Sequence, residues 1–105
     1  MKDLVIRQAD DRETFDVAVG QEFSLNLREI PTSGFVWKLE LRGGLHQIAD
    51  DRVLPPEPAF GGGALRVIRL RAVTPGESRI VARLERAWAS ENPPRERCEF
   101  TVRVK

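Results

Sequence analysis

Apolar residues return at every second position along nearly the whole chain, and a helical repeat is almost absent. A period of two places alternate side chains on opposite faces of an extended backbone, so each run reads as a strand with one buried and one wet face. Phe15, Val17 and Val19 form one such set, and Phe23, Leu25 and Leu27 resume it after a Gly20-Gln21 break. Phe35, Trp37, Leu39 and Leu41 follow, with Lys38 and Glu40 facing the other way. Ile68, Leu70 and Ala72, then Ile80, Ala82 and Leu84, then Cys98, Phe100, Val102 and Val104 complete the series. Arg66, Arg69 and Arg71 read together as the solvated face of one strand. The segment 45–54, with Leu45, Ile48, Val53 and Leu54, is the least regular and is expected to form a short edge strand. With the N-terminal run through Leu4, Val5 and Ile6, the count comes to about seven or eight strands. That pattern predicts an all-β fold, an immunoglobulin-like antiparallel β-sandwich forming a single domain over residues 1–105.

Charge and cysteine content narrow the possible functions. Lys and Arg number 17 against 16 Asp and Glu, a net charge of +1, which argues against a nucleic-acid partner bound through a general electrostatic footprint. No apolar run approaches the roughly 18 residues that a spanning helix needs, so no membrane partner is expected. The N-terminal apolar stretch is too short for a signal-peptide core, which suits a cytosolic chain or a mature form whose leader has been removed. Cys98 is the only cysteine, so the fold must stand on its core without an internal disulfide. Cys98 shares the alternation of Phe100 and Val102 and should face inward, where a thiol is inert. His46 is the only histidine, and with one cysteine it makes a zinc site improbable. No catalytic residue, metal or cofactor is therefore expected, and the chain does not read as an enzyme.

The connections are of two kinds. Val19-Gly20-Gln21, Arg42-Gly43-Gly44 and Thr74-Pro75-Gly76-Glu77 are ordinary turns, in which Gly supplies positive φ and Pro presets the bend. Three others are long or unusual: Arg28 to Gly34, Pro55 to Ala64, and Arg86 to Arg95. If each strand crosses the sandwich once, successive connections alternate between its ends, so these three should emerge together. Loops gathered at one end of a rigid sandwich make a binding surface.

Their contents suit that role. The first holds Pro31-Thr32-Ser33-Gly34, stiffened by Pro and by hydroxyls that bond locally to the backbone. The second runs from Pro55-Pro56-Glu57-Pro58 to Phe60-Gly61-Gly62-Gly63-Ala64, where successive glycines expose the main chain. No helical pattern follows it and no Gly-Lys-Ser/Thr, which excludes a phosphate-binding loop. The third begins Arg86-Ala87-Trp88. Trp37 reads as the core tryptophan, whereas Trp88 lies where a strand gives way to a Pro-rich loop, and an exposed Trp beside an Arg has the composition of a binding hot spot.

At these loops the chain resembles the chagasin family, inhibitors of papain-like cysteine peptidases. That family carries an Asn-Pro-Thr-Thr-Gly-Tyr/Phe-x-Trp stretch, a Gly-x-Gly-Gly stretch and an Arg-Pro-Trp stretch, in that order. Here they read Ile30-Pro31-Thr32-Ser33-Gly34-Phe35-Val36-Trp37, then Gly61-Gly62-Gly63-Ala64 (or Phe60-Gly61-Gly62-Gly63), then Arg86-Ala87-Trp88. The resemblance implies a reversible, competitive inhibitor whose partner is a papain-like cysteine peptidase, and a single domain with no obvious sticky edge suggests a monomer. By the same resemblance, Pro31, Thr32, Ser33 and Gly34, with Phe35 behind them, sit over the catalytic centre. Residues Phe60, Gly61, Gly62, Gly63 and Ala64 line one side, and Arg86, Ala87 and Trp88 the other. Three departures bear on affinity and target range. Ile30 replaces Asn, Ala64 or Phe60 replaces a Gly, and Ala87 replaces Pro, which loosens the third loop. The competing reading is a generic immunoglobulin-like module that binds another protein or a saccharide through the same end.

Overall fold

The computed structural model describes residues 3–53, 63–90 and 93–105, apart from the side chain of Pro31. The described residues form eight strands: β1 (Val5–Arg7), β2 (Thr14–Val17), β3 (Glu22–Glu29), β4 (Phe35–Arg42), β5 (Leu45–Val53), β6 (Ala64–Ala72), β7 (Gly76–Arg86) and β8 (Glu96–Val104). They build two four-stranded sheets, one in the order β1-β3-β6-β5 and the other β2-β8-β7-β4. The inward residues of both sheets make one core. Ile6, Phe23, Leu25, Leu27, Ile68, Leu70, Ile80, Phe100 and Val102 are fully buried there around Trp37. All but Ile6, which came from the N-terminal run, belong to an alternating set read from the sequence, because burial on one face is what a period of two encodes.

The all-β sandwich stands, with one amendment to its strand directions. The central pairs are antiparallel, but β1 runs parallel to β3 and β2 parallel to β8. The N-terminal chain crosses from one sheet to the other through Gln8–Asp10, a single 3-10 turn, and so adds one edge strand to each. Alternation reports which face a side chain takes and carries no information about the direction of a neighbour, so this feature left no periodic trace. Val19 also leaves its expected strand. It lies beyond the end of β2 and is half exposed.

Residues 45–53 form an edge strand as expected, though not a short one, and Leu54 lies outside the described residues. β5 covers nine residues, with a register shift between Gln47 and Ala49. The extra residue, Ile48, resets the parity, so the apolar positions before and after it fall out of phase. That is why the sequence looked irregular there.

Register fixes where the connections emerge. Glu29 pairs with Ala64 and Val53 with Leu65 in the first sheet, while Phe35 pairs with Arg86 and Leu84 with Glu96 in the second. The three unusual connections therefore leave from one end. The Gly43–Gly44 turn and the β6–β7 connection meet at the other end, where the Val73 N–H donates to the Gly44 carbonyl (2.8 Å) and the Gly44 N–H to Ser78 Oγ (2.9 Å).

Cys98 is buried, and burial first, then the nearby Asp11 and Glu96 charges, pushes its thiol up to about 11. The side chain is a small apolar filler of the second sheet rather than a nucleophile.

Candidate functional site

The first loop is a single 3-10 turn, Pro31–Ser33, closed by Gly34. Ser33 holds it by two bonds to one acceptor: its N–H donates to the Ile30 carbonyl (3.0 Å) and its Oγ to the same oxygen (2.7 Å). The Phe35 N–H then donates to Ser33 Oγ (3.1 Å), so one hydroxyl joins both ends of the turn. Gly34 has φ of +82°, a left-handed conformation in which a Cβ is strained. The turn thus takes its shape from Ser33 and the main chain, with Ile30 contributing a carbonyl and an exposed side chain. Thr32 and Ser33 are both exposed at its crest.

The third loop is tied to the first. The Ala87 N–H donates to the Gly34 carbonyl (3.0 Å), and the Trp88 ring lies 3.4 Å from where a Cβ on Gly34 would stand. Trp88 is 76% exposed, so its ring is displayed rather than used as a lid on the core. Lys38 on β4 donates to the Ala89 carbonyl (2.6 Å) and pairs with buried Glu85 (3.4 Å), which draws the loop onto the second sheet. Phe35, half-buried at the root, has the Arg86 guanidinium 5.6 Å and the Arg95 guanidinium 4.8 Å from its ring centre. These are cation–π distances.

Of the second loop, Phe60, Gly61 and Gly62 lie outside the described residues. Gly63 packs closely on Arg28: a Cβ there would lie 2.8 Å from Arg28 Nε. Ala64 opens β6 with its side chain buried, so its methyl faces the interior rather than the surface at the end of the sandwich.

Beneath the loops lies a charged cluster that the strand pattern concealed. Glu29 is fully buried, and its carboxylate accepts from the Trp37 N–H (2.9 Å), from Arg66 Nη1 (3.0 Å) and from Arg52. Arg66 also grips Asp50 through two bonds of 2.7 Å and donates to the Trp37 carbonyl (2.8 Å). The Trp37 indole N–H donates to the Arg28 carbonyl (2.8 Å), which closes the corner between β3 and β4. Glu29 and Arg66 thus satisfy both main-chain groups of Trp37 on an edge strand, a place where unpaired groups invite strand addition. Reading Arg66 with Arg69 and Arg71 as one solvated face was wrong for Arg66. Arg69 and Arg71 reach the half-buried Glu22, but Arg66 has the parity of Ile68 and Leu70 and points inward. Glu29 likewise has the parity of Leu25 and Leu27. A charged residue on the buried parity was the available signal for both.

Burial works against the ionised form of Glu29, but the bonds from Trp37, Arg52 and Arg66 outweigh it and hold its pKa below the ordinary 4.5. The Arg66 bonds do the same for Asp50, overcoming its own partial burial. Both folded values lie below the unfolded ones. The stabilisation is therefore present in full above about pH 4–5 and is lost as pH falls through the depressed values. Thermal melts should accordingly hold steady from pH 7 to 5 and fall below about pH 4, with a shallower fall in Glu29→Gln. An identical acid slope in that variant would place the acid sensitivity elsewhere.

Among the described residues no group of three or more His, Cys, Asp or Glu side chains could hold a metal ion. What the molecule presents is an immunoglobulin-like sandwich whose first and third loops are tied together at one end, an arrangement suited to display. Residues 16–104 match the model of the chagasin family of peptidase inhibitors, and the chain belongs to that family, one of inhibitors and not of enzymes. Comparison with curated proteins returns no match. Among solved structures, it is similar to a cysteine protease inhibitor of Entamoeba histolytica, with 20% identity, a TM-score of 0.88, and 97% of this chain and 95% of the other covered. It is also similar to the solution structure of amebosin, with 22% identity, a TM-score of 0.79 and both chains covered in full. At such identities the likeness speaks for the fold.

Proposed function

We propose that this chain inhibits papain-like cysteine peptidases reversibly and competitively, by seating the loop end of its sandwich in the substrate cleft. Family membership supports the activity, and one structural observation carries the mechanism: the bond between Ala87 and Gly34 locks the first and third loops together with Trp88 displayed beside them. Loops fixed before binding lose little conformational entropy on contact, so a small surface can still bind tightly. In this reading Pro31 to Gly34 cover the catalytic Cys and His, and Phe60 to Ala64 flank them on one side. Arg86 and Trp88 pack on the other side. Inhibition is steric, because the one thiol of the inhibitor is buried and protonated. The Ala87 departure from the family's Pro is offset here, since only a residue with an N–H can make the bond to Gly34.

Steady-state titration of papain with a fluorogenic peptide substrate tests the reading. A rise in apparent KM at constant kcat, reversed on dilution, is the expected result. A folded domain that leaves papain and its relatives untouched at large excess would return the chain to the class of generic binding modules. Changing Thr32 and Ser33 together to Glu should weaken inhibition on the order of 10- to 100-fold, with the circular dichroism spectrum retained. Unaltered inhibition by that variant would remove the first loop from the contact.

A further inference from the structure

Beside the loop cluster a groove of about 310 Å³ opens between the first loop and the root of the third. That volume is at the low end for a ligand pocket and suits an inserted side chain better than a free metabolite. Its lining is apolar at Ile30, Phe35 and Leu84, and Arg28 and Arg95 border it. Neither arginine forms an ion pair with a described residue, and Arg95 is instead held over the Phe35 ring. The acidic groups at the groove are Glu29 and Glu96. The first is neutralised from behind by Arg52 and Arg66, and the second accepts from Gln8 (2.6 Å). Because Gln8 is neutral, Glu96 keeps its charge, and the groove presents two guanidinium groups against one carboxylate, a net positive surface for whatever lies against this end of the molecule.

We infer that this groove receives an acidic side chain from the rim of the target peptidase's cleft, so that Arg28 and Arg95 select among papain-like enzymes by rim charge. The inference rests on the proposed function, which brings the peptidase to this end. Guanidinium groups match a carboxylate bidentately, and the Phe35 platform keeps Arg95 in place before contact. Such a pair acts first on the rate of association, through the local potential, and then on register.

The experiment uses the whole chain and two papain-like peptidases whose cleft rims carry opposite net charge, with association rates measured at low and high salt. The Arg28→Glu, Arg95→Glu double variant should associate on the order of tenfold more slowly with the acidic-rim enzyme at low salt. The gap should narrow as salt rises, and the basic-rim enzyme should show no loss. If the double variant melts early, Arg28→Gln with Arg95→Gln takes its place, with a smaller effect of the same sign. Equal rates for variant and wild type, or an equal loss on both enzymes, would overturn the groove while leaving the three-loop wedge intact. Failure of the wild type to inhibit either enzyme would overturn both.

Discussion

Truncating Trp88 to alanine should raise the inhibition constant about 30-fold or more, the factor that corresponds to the roughly 2 kcal/mol threshold of a hot-spot aromatic. Stability should barely move, within about 0.5 kcal/mol, because the ring is 76% exposed and contributes almost nothing to the core. The contrast with Trp37 is instructive. Both are strand or strand-end tryptophans, but Trp37 is 1% exposed and its indole N–H is spent on the Arg28 carbonyl. Trp88 keeps its face for a partner and has Gly34 beneath it, a residue with no side chain to hold the ring away. Inhibition constants and melting curves, measured on the same preparation, check the prediction. An inhibition constant within twofold of wild type would show that the displayed ring is not part of the contact.

The second large effect is on stability. Replacing Glu29 by alanine should destabilise the fold by about 3–5 kcal/mol, the cost of breaking a buried charge cluster from one side. The loss has three parts: the Trp37 N–H loses its acceptor, Arg66 loses one of its two carboxylates, and Arg52 loses its anchor. In a domain of about 100 residues that corresponds to a fall in melting temperature of about 12 °C or more. Glu29→Gln keeps an acceptor for Trp37 and should lose less. The same change loosens the corner from which the first loop springs, so weaker inhibition should accompany the lower stability. A melting temperature within two degrees of wild type for the alanine variant would rule out Glu29 as the organiser of this corner.

These two predictions draw on different layers of the sequence. Trp88 was legible because it ends an alternating strand and begins a Pro-rich loop, and Pro31 to Gly34 were legible because their turn chemistry is local. The Glu29 cluster was not. Its members stand at positions 29, 50, 52 and 66, on three strands, and each alone resembles an ordinary surface charge. The bulge at Ile48 hid Asp50 and Arg52 further, by shifting β5 out of phase with its partner. Arg95 was legible only as the end of a loop until Phe35 was found beneath it.

Alternation of apolar side chains, by itself, determined the sandwich, most of its core residues, the inward Cys98, and the emergence of the three unusual loops at one end. All of these follow from the period of an extended chain and from strands crossing once. Only the tertiary structure decided the parallel edge strands, the bond between the two loops, the charge cluster beneath them and the groove beside them. Each of those depends on residues brought together across the sheets by register, and register is a property of strand pairs that no single strand's pattern contains.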